Sequence, residues 1–417
     1  MIEYIILLAV VLLLSLACFN KFTQKKQKVF NLAFLCAGFF IMFLFSALRI
    51  DIGWDYTMYT RGFFQMARSG FTTFEYQNWE YGFNLLTKII AFFTKDAKIY
   101  IAVISLICLA GPFYVILRYS KKPWLSVLLY VNLYFFYGTL NFLRQGIAIS
   151  IIMFAYTFLV NRKIIWYMLL VALAACFHIT ALIMVPVYFL VKLELSLKVP
   201  FLYSILFVWI YISSNATLDL VAAYFRTDYS QSVFFTGGLN ILNIVIPSLV
   251  LAAGMALVLK KDKLTSYLLK QPDKTNNRAY SDILTLHVNL MYFSYLWIIV
   301  MLRHSIFERF SFYSYVFVIL YIPELIELAD AKIRYNQNKR YNTIAKTEDE
   351  NIKEGIINSN KKQRKIFYTA IILIVIALTA AYNFYGLAAY DKGPHGVYPY
   401  QSWLLGPRPP IGEFFGR

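Results

Sequence analysis

Two ionisable residues, Arg144 and His178, lie inside stretches of sequence that are otherwise apolar enough to be membrane spans. Arg144 follows LNFL at the start of one hydrophobic run, and His178 interrupts the next run within ACFHITALIMVP. An ionisable side chain at membrane depth costs about 3 kcal/mol or more unless it is paired or faces water. We therefore treat both residues as candidates for a functional site.

Both side chains suit chemistry on a phosphorylated substrate. An imidazole has an ordinary pKa of about 6.5, which fits a general base near neutral pH. A guanidinium fits bidentate contact with phosphate, and Arg309 at the outer start of ERFSFYSYVFVILYIPE offers a second one. The structural alternative is that His178 only satisfies a neighbouring carbonyl and that the arginines extend to the lipid headgroups.

Polar residues accompany Arg144 in LNFLRQGIAIS. Asn141, Arg144 and Gln145 have i, i+3 and i+4 spacing, which places them on one face of a continuous helix. Three polar side chains on one face predict a polar wall in this part of the protein.

A second polar group lies in ALRIDIGWDYTMYTRGFF, directly after an apolar run. Arg49 lies at the predicted outer boundary, and Asp55 and Tyr59 are four residues apart on one face of any following helix. The functional interpretation is a binding loop at the outer face. The alternative is anchoring at the interface by Trp54 and the tyrosines, together with a surface ion pair.

The composition is that of a multi-pass membrane protein. The 417 residues are 60% hydrophobic and only 15% charged, and the mean hydropathy is +0.58. The net charge of +18 does not indicate nucleic acid, because Lys and Arg cluster in short links between apolar runs, where positive charge determines membrane topology.

The sequence contains no motif for a cofactor or a metal. The four cysteines fall within apolar segments and lack metal or redox spacing. We find no glycosidase-type carboxylate pair, nucleophilic serine motif, phosphate-binding glycine loop or cluster of metal ligands. We therefore expect no cofactor and no metal.

The apolar runs predict an all-α protein with about ten full spans. Spanning the bilayer takes about 20 apolar residues. The runs that qualify are 2–19, 30–48, 98–117, 124–140, 142–160, 198–214, 239–259, 280–302, 305–328 and 366–386.

Lys and Arg determine the orientation of these spans. The first link, KFTQKKQK, is basic, which places the N-terminus and the 49–97 loop outside. The basic links 260–278 and 329–365 both become cytoplasmic only if 164–191 enters the membrane and returns. We therefore predict a helical hairpin broken near His178. Non-helical backbone is tolerated at that depth where it lines a cavity, so the break predicts a cavity.

This topology predicts a single integral membrane domain over 1–390. Its 49–97 outer loop contains a predicted interfacial helix, YGFNLLTKIIAFF, and 329–365 is predicted to be a mobile cytoplasmic loop because it has few large apolar residues. Residues 391–417 form an outer C-terminal tail. The candidate site residues lie toward the outer face.

Five segments resemble the EpsG family of Wzy-like polysaccharide polymerases, in the family's order. They are RIDIGWDYTMY, LNFLRQGIAISI, CFHITALI, ERFSFYSYVFVILYIPE and YPYQSW. The resemblance covers nearly the whole chain, but each segment is short. The residues after YPYQSW, LLGPRPPIGEFFGR, resemble nothing in the family.

This resemblance implies a fold similar to that of the large-cavity, metal-independent (GT-C-like) membrane glycosyltransferases. It also implies an inverting polymerase that joins undecaprenyl-diphosphate-linked repeat units at the outer face of the bacterial cytoplasmic membrane. Arg144, Arg309 and Arg49 would hold the diphosphate, and His178 would take the acceptor proton. The residues expected to bind or orient sugar are Asp55, Tyr59, Asn141 and Gln145.

Other functions remain open from the sequence. Asp55 is an alternative to His178 as the general base that takes the acceptor proton. A ligase would make one transfer where a polymerase makes a ladder of repeats, and a lipid-linked oligosaccharide flippase would also need a cationic cavity. A lone membrane histidine also occurs in acyl transfer, although no acyltransferase motif accompanies His178. For a polymerase, expected partners are the lipid-linked substrate, the bilayer, a chain-length regulator and a flippase, and no nucleic acid.

Overall fold

The computed structural model describes residues 2–18, 24–69, 76, 79–191, 193, 198–225, 242–259, 272–273, 278–301, 307–344, 350–389, 396–397 and 400–402. The chain is helical over nearly all of this part, as the apolar runs predict. A two-residue antiparallel pair is the exception, with β1 (Pro272–Asp273) beside β2 (Arg278–Ala279).

The helices of the N-terminal part are α1 (Ile2–Cys18), α2 (Gln24–Ala47), α3 (Tyr56–Arg68), α4 (Tyr81–Phe93), α5 (Ala97–Tyr119), α6 (Pro123–Asn132), α7 (Phe135–Asn141), α8 (Leu143–Val160) and α9 (Ile164–Ala175). A 3₁₀ helix (Ile179–Met184) follows, then α10 (Val187–Leu190), α11 (Lys198–Phe225), α12 (Leu242–Leu259), α13 (Tyr280–Val300), α14 (Glu308–Tyr315), α15 (Val318–Ile344) and α16 (Glu350–Ala389).

The chain divides into two compact units, which we describe separately. Unit 1 comprises Met1–Arg118, Lys122–Val185 and Thr379–Arg417. Unit 2 comprises Tyr119–Lys121 and Pro186–Leu378.

Candidate membrane spans are fewer than predicted in the described part of the chain. The helices long and apolar enough to cross a membrane are Val29–Ala47, Ala97–Tyr119, Leu143–Val160, Asp282–Val300 and Ile357–Ala388. A bent pair, Glu308–Tyr315 with Val318–Asn338, makes up to six, with an angle of 46° between its helices. These helices support a polytopic membrane protein, but not ten full spans.

The run 124–140 differs from its prediction because it is not one helix. Its residues form α6 and α7, and Tyr134 between them has φ 66°. A tyrosine at positive φ lies in the left-handed region, which interrupts a right-handed helix. Three other predicted spans contain shorter apolar helices, namely Glu3–Leu13, Phe201–Ser213 and Ile244–Ala256.

Aromatic rings from α3, α4, α5 and the segment before α4 form a core in unit 1. Phe63 stacks on Tyr100 with ring centroids 4.5 Å apart. Trp79 lies between Tyr59 and Phe83, at centroid distances of 5.6 and 5.0 Å. All five side chains are buried, so this core fixes α3 and α4 relative to each other.

The helix predicted to lie along the interface is present as α4. Its exposed residues include Tyr81, Ile89 and Phe92, as a lipid-facing surface would require. Lys88 is buried instead, and its Nζ donates to the Met66 carbonyl at 3.0 Å. It therefore caps the C-terminal end of α3. The location of α4 at the membrane surface stays a prediction.

Part of the C-terminal tail pairs with the loop after α2. The Ile50 amide donates to the Gln401 carbonyl at 2.9 Å, and the Gly53 amide donates to the Gly396 carbonyl at 3.0 Å. We call the residues 396–402 the strap; of these, 398 and 399 lie outside the described part. The LLGPRPPIGEFFGR extension, residues 404–417, also lies outside it.

The link 329–365 was predicted to be a mobile loop, but most of it is helical. Residues 329–344 continue α15, and residues 350–365 begin α16. Arg364 donates to both carboxylate oxygens of Asp330, at 2.7 and 2.8 Å. A polar sequence cannot form an apolar core, but backbone hydrogen bonds within each helix and the bidentate Arg364–Asp330 pair between them support these two helices.

Unit 2 contains a buried histidine–glutamate pair that connects two helices. His287 of α13 is hydrogen-bonded through Nδ1 to the Glu324 carboxylate of α15. Their side chains are only 4% and 2% exposed. Because both groups are buried, removing one of them would leave the other without its partner in this pair.

Candidate active site

His178 lies at a break between helices. α9 ends at Ala175, and the 3₁₀ helix begins at Ile179. His178 itself is extended, with φ −157° and ψ 112°, and its amide donates to the Ala174 carbonyl at 2.9 Å. The chain thus breaks at the histidine within 164–191; its return to the same membrane face stays a prediction.

Arg144 lies in the first turn of α8, which begins at Leu143. The preceding residue, Phe142, has φ −88° and ψ 70° and separates α7 from α8. Asn141 therefore ends one helix, whereas Arg144 and Gln145 begin another. The prediction that all three share one helical face was wrong, because that spacing holds only where the helix is continuous.

A carboxylate that the sequence analysis missed connects Arg144 and His178. Glu80 Oε2 lies 2.6 Å from Arg144 Nη1, and Glu80 Oε1 lies 2.8 Å from His178 Nδ1. The Ile179 amide also donates to Glu80 Oε1, at 3.3 Å. We call Glu80, Arg144 and His178 the charged cluster. It brings together residues from the start of α4, the start of α8 and the break after α9.

Glu80 is ionised at neutral pH. Burial opposes its charge, but the hydrogen bond and the charge of His178, together with the charge of Arg144, lower the pKa of Glu80 to about 2. An ionised carboxylate only accepts hydrogen bonds, so His178 must donate from Nδ1. Neutral His178 then has its lone pair on Nε2, which is the nitrogen able to take a proton.

Local packing explains why Glu80 meets His178. The Gly82 amide donates to the Cys176 carbonyl at 2.8 Å, so α4 begins directly beside the end of α9. A Cβ atom on Gly82 would lie 2.6 Å from the Cys176 carbonyl oxygen, which only glycine avoids. Asn84 Nδ2 donates to the Trp79 carbonyl at 3.0 Å and fixes the chain on the other side of Glu80.

Tyr59 adjoins the charged cluster from α3. Its buried hydroxyl is hydrogen-bonded to Arg144. Burial raises the pKa of Tyr59, and the positive charge of Arg144 partly opposes this shift. Tyr59 therefore remains a neutral phenol that orients the guanidinium.

The loop before α3 is fixed to α7. The Asn141 side-chain oxygen accepts a hydrogen bond from the Asp55 amide at 3.0 Å. Gly53 has φ 95°, and a Cβ atom there would lie 2.7 Å from the Leu140 carbonyl oxygen. Asn141 thus orients the loop by accepting a hydrogen bond from the backbone amide of Asp55. The predicted role of Asp55 in binding sugar stays a prediction.

The predicted cation Arg49 does not join the charged cluster in the described contacts of unit 1. Arg49 is fully buried, and its Nη1 donates to Ser105 Oγ at 3.0 Å and to the Ser46 carbonyl. Arg309 is half-buried in α14, which belongs to unit 2, whereas Arg144 and His178 belong to unit 1.

The sequence contains only a weak indication that Glu80 belongs to the site. It is an acidic residue directly before the amphipathic helix YGFNLLTKIIAFF, within a loop that was predicted to face outward. Nothing in the local sequence indicates its two partners, because they follow 64 and 98 positions later. Among the described residues, no group of three or more His, Cys, Asp or Glu is arranged to hold a metal ion.

Comparison with known proteins identifies the family. The model of the EpsG family matches residues 32–341. This span includes the charged cluster and parts of both unit 1 and unit 2. No curated protein and no solved structure matches the chain. The EpsG family is associated with polysaccharide polymerisation of the Wzy type. With a match over more than half of its length, this chain belongs to the EpsG family.

Proposed function

We propose that this protein is a polysaccharide polymerase of the bacterial cytoplasmic membrane. It joins oligosaccharide repeat units carried on undecaprenyl diphosphate, at the outer face, by inverting glycosyl transfer without a metal or cofactor. The observation that supports this proposal most directly is the charged cluster. There, one ionised carboxylate binds both a guanidinium and an imidazole.

The reaction requires one proton transfer and one displacement. A hydroxyl of the acceptor unit attacks the anomeric carbon of the donor chain, and its proton passes to Nε2 of His178. The bond from the anomeric carbon to the diphosphate oxygen breaks, and its electron pair leaves with undecaprenyl diphosphate. Attack from the opposite side inverts the anomeric configuration.

Glu80 assists by holding the imidazole. Its contact with His178 Nδ1, at 2.8 Å, selects the tautomer that carries its lone pair on Nε2 and stabilises the imidazolium that forms. The carboxylate of a Ser-His-Asp triad has the same function. Glu80 itself is a poor base, because its pKa of about 2 makes its protonation unfavourable near neutral pH.

The charge of the cluster changes in step with the leaving group. To act as a base in this proposal, His178 must start as the neutral imidazole, so that only the charges of Glu80 and Arg144 are present and cancel. When His178 takes the acceptor proton, the cluster gains one positive charge while negative charge develops on the leaving diphosphate. Charge that appears only in the transition state accelerates the reaction more than uniform binding does. Arg144 is the diphosphate ligand in this proposal.

Arg309 stays a second diphosphate ligand in the proposal on the basis of the family resemblance alone. Arg49 is left out, because its side chain is fully buried and bound to Ser46 and Ser105. Tyr59 orients Arg144, Asn141 orients the Asp55 loop, and Gln145 stays a predicted sugar-binding or orienting residue. Tyr59 does so through its hydrogen bond to Arg144.

The test is reconstitution of polymerisation with purified protein. The substrate is the repeat unit of the host's own polysaccharide on a short-chain polyprenyl diphosphate, with EDTA present, and products are separated by size. We expect a ladder of repeats that survives EDTA and disappears in Arg144→Ala. The exposed residue Arg61, changed to alanine, is the matched control and should retain the ladder.

Other outcomes would replace the proposal. A single added unit without a ladder would indicate a ligase. Movement of the lipid-linked unit across liposomes, without new glycosidic bonds, would indicate a transporter. If the folded Arg144→Ala variant produced the ladder at wild-type yield, Arg144 would not be the residue that binds the diphosphate.

A further inference from the structure

Arg49 is a buried cation that uses less than half of its hydrogen-bonding capacity. Its side chain is 0% exposed. One terminal nitrogen, Nη1, donates to Ser105 Oγ at 3.0 Å and to the Ser46 carbonyl. The other two nitrogens, Nε and Nη2, have no hydrogen-bond partner among the described residues.

These two nitrogens form one edge of the guanidinium. Nε–H and Nη2–H project in the same direction from the planar group, and this fork binds anions through two parallel hydrogen bonds. Ser46 Oγ is a further buried donor without a partner among the described residues, three positions before Arg49. Three donors in one buried region therefore lack acceptors.

The charge of Arg49 is also not balanced by a carboxylate in the described contacts. Burial lowers the pKa of Arg49 to about 10, and the groups that oppose this shift are Tyr56, Cys108, Tyr400 and Tyr4. None of these is an anion at neutral pH. A buried charge without a counter-ion is unfavourable, so a bound anion would stabilise this fold.

The strap covers this region from the C-terminal side. Ser402 forms a backbone bridge with Arg49. The Tyr400 hydroxyl donates to the Phe45 carbonyl at 2.7 Å, and its ring stacks on Phe45 with centroids 3.9 Å apart. Because the Arg49 side chain is fully buried, a lipid-linked diphosphate could reach it only if the strap were displaced.

We propose that Arg49 and Ser46 bind a small inorganic anion, of which chloride is the most suitable probe. The anion accepts hydrogen bonds from Nε and Nη2 of Arg49 and from Ser46 Oγ. It neutralises the buried guanidinium and stabilises the junction of α2, α5 and the strap. This role is independent of the proposed polymerase activity.

Thermal unfolding of the purified full-length protein tests the proposal. The protein is compared in sodium chloride and sodium gluconate at the same ionic strength, because gluconate is too large for a closed site. We expect chloride, and also nitrate, to raise the Tm by about 2 °C or more. Sulfate should have less effect, because it is larger and doubly charged.

Two variants assign the effect to the site. Arg49→Met removes the charge at similar length and should abolish the difference between chloride and gluconate. Arg61→Met removes an exposed arginine of α3 and should retain that difference. An equal chloride response in Arg49→Met and wild type would overturn the proposal.

A second measurement covers the case in which Arg49→Met fails to fold. Equilibrium dialysis of radioactive chloride against the wild-type protein should show one bound ion per chain. In Ser46→Ala, which retains the guanidinium, the affinity should fall about fivefold, as expected for one lost hydrogen bond. Folded wild-type protein that binds no chloride would exclude the site, whatever the result of the polymerisation assay.

Discussion

Glu80 and His178 are 98 positions apart in the sequence, yet Glu80 Oε1 lies 2.8 Å from His178 Nδ1. The same carboxylate is 2.6 Å from Arg144 Nη1 through its other oxygen. The start of α4, which packs against the end of α9, thus supplies the anion that connects the two ionisable residues first noticed in the sequence.

Removing the charge of Glu80 should impair catalysis more than folding. Glu80→Gln keeps the size of the side chain but no longer selects and stabilises the imidazolium form of His178. We expect kcat to fall about 100-fold or more, by analogy with the loss of the orienting carboxylate in a catalytic triad, while KM changes little. Steady-state rates of repeat-unit coupling measure this. Glu80→Asp, which restores the charge at a shorter reach, should recover part of the rate, and equal rates in Gln and Asp variants would count against a charge effect.

The stabilising effect of Glu80 should depend on pH in an acidic window. Its pKa is lowered to about 2 from an ordinary value near 4.5, so the folded state favours the ionised form. This contribution is fully present above about pH 4.5 and is lost as the pH falls through about 2. We expect the Tm difference between wild type and Glu80→Gln to shrink as the pH falls below about 4.5. A difference that stayed unchanged down to about pH 2 would contradict the lowered pKa of Glu80.

Gly62 should tolerate no larger side chain, because α3 meets Trp79 there. A Cβ atom on Gly62 would lie 2.2 Å from Trp79 Cη2 and 2.8 Å from Tyr76 Cδ1. Gly62→Ala should cost about 1–3 kcal/mol through overpacking and should displace Trp79, which adjoins Glu80. The control is Gly355→Ala, where no atom lies within 4 Å of the new Cβ. We expect a lower Tm and a lower coupling rate in Gly62→Ala only; two unchanged variants would contradict this packing.

The buried pair in unit 2 should matter for stability. His287 and Glu324 have side-chain exposures of 4% and 2%, so removing one partner leaves a buried group unpaired. Glu324→Leu should destabilise the protein by about 3–5 kcal/mol. The double variant His287→Leu/Glu324→Leu should be closer to wild type than Glu324→Leu alone. Unfolding in a denaturing detergent measures these differences, and additive effects of the two single changes would refute the coupling.

The sequence predicted the helix start at Arg144 and the helix break at His178, because the hydropathy pattern of nearby residues is enough to locate such features. It placed a chain break near His178, and α9 does end just before this residue. It also placed Arg144 at the start of a helix, where the structure has it in the first turn of α8. The family resemblance is confirmed by the match over residues 32–341.

The parts that were missed depend on tertiary contacts or on single backbone angles. Glu80 is bound by partners that no local pattern identifies. The left-handed conformation of Tyr134 divides 124–140 into two helices, and the conformation of Phe142 separates Asn141 from Arg144. A hydropathy pattern cannot report such angles. It also predicted a loop at 329–365, where backbone hydrogen bonds and the Arg364–Asp330 pair maintain helices.

The most direct test of the charged cluster is the coupling rate of His178→Gln with a verified native repeat unit. Folding and membrane insertion are checked first, by comparing its Tm and detergent-solubilised size with those of wild type. A general base contributes about 100-fold to 10,000-fold to a rate, so we predict a single-turnover rate at least about 100-fold below wild type at saturating substrate. A folded His178→Gln variant that couples repeat units at the wild-type rate would show that His178 does not take the acceptor proton.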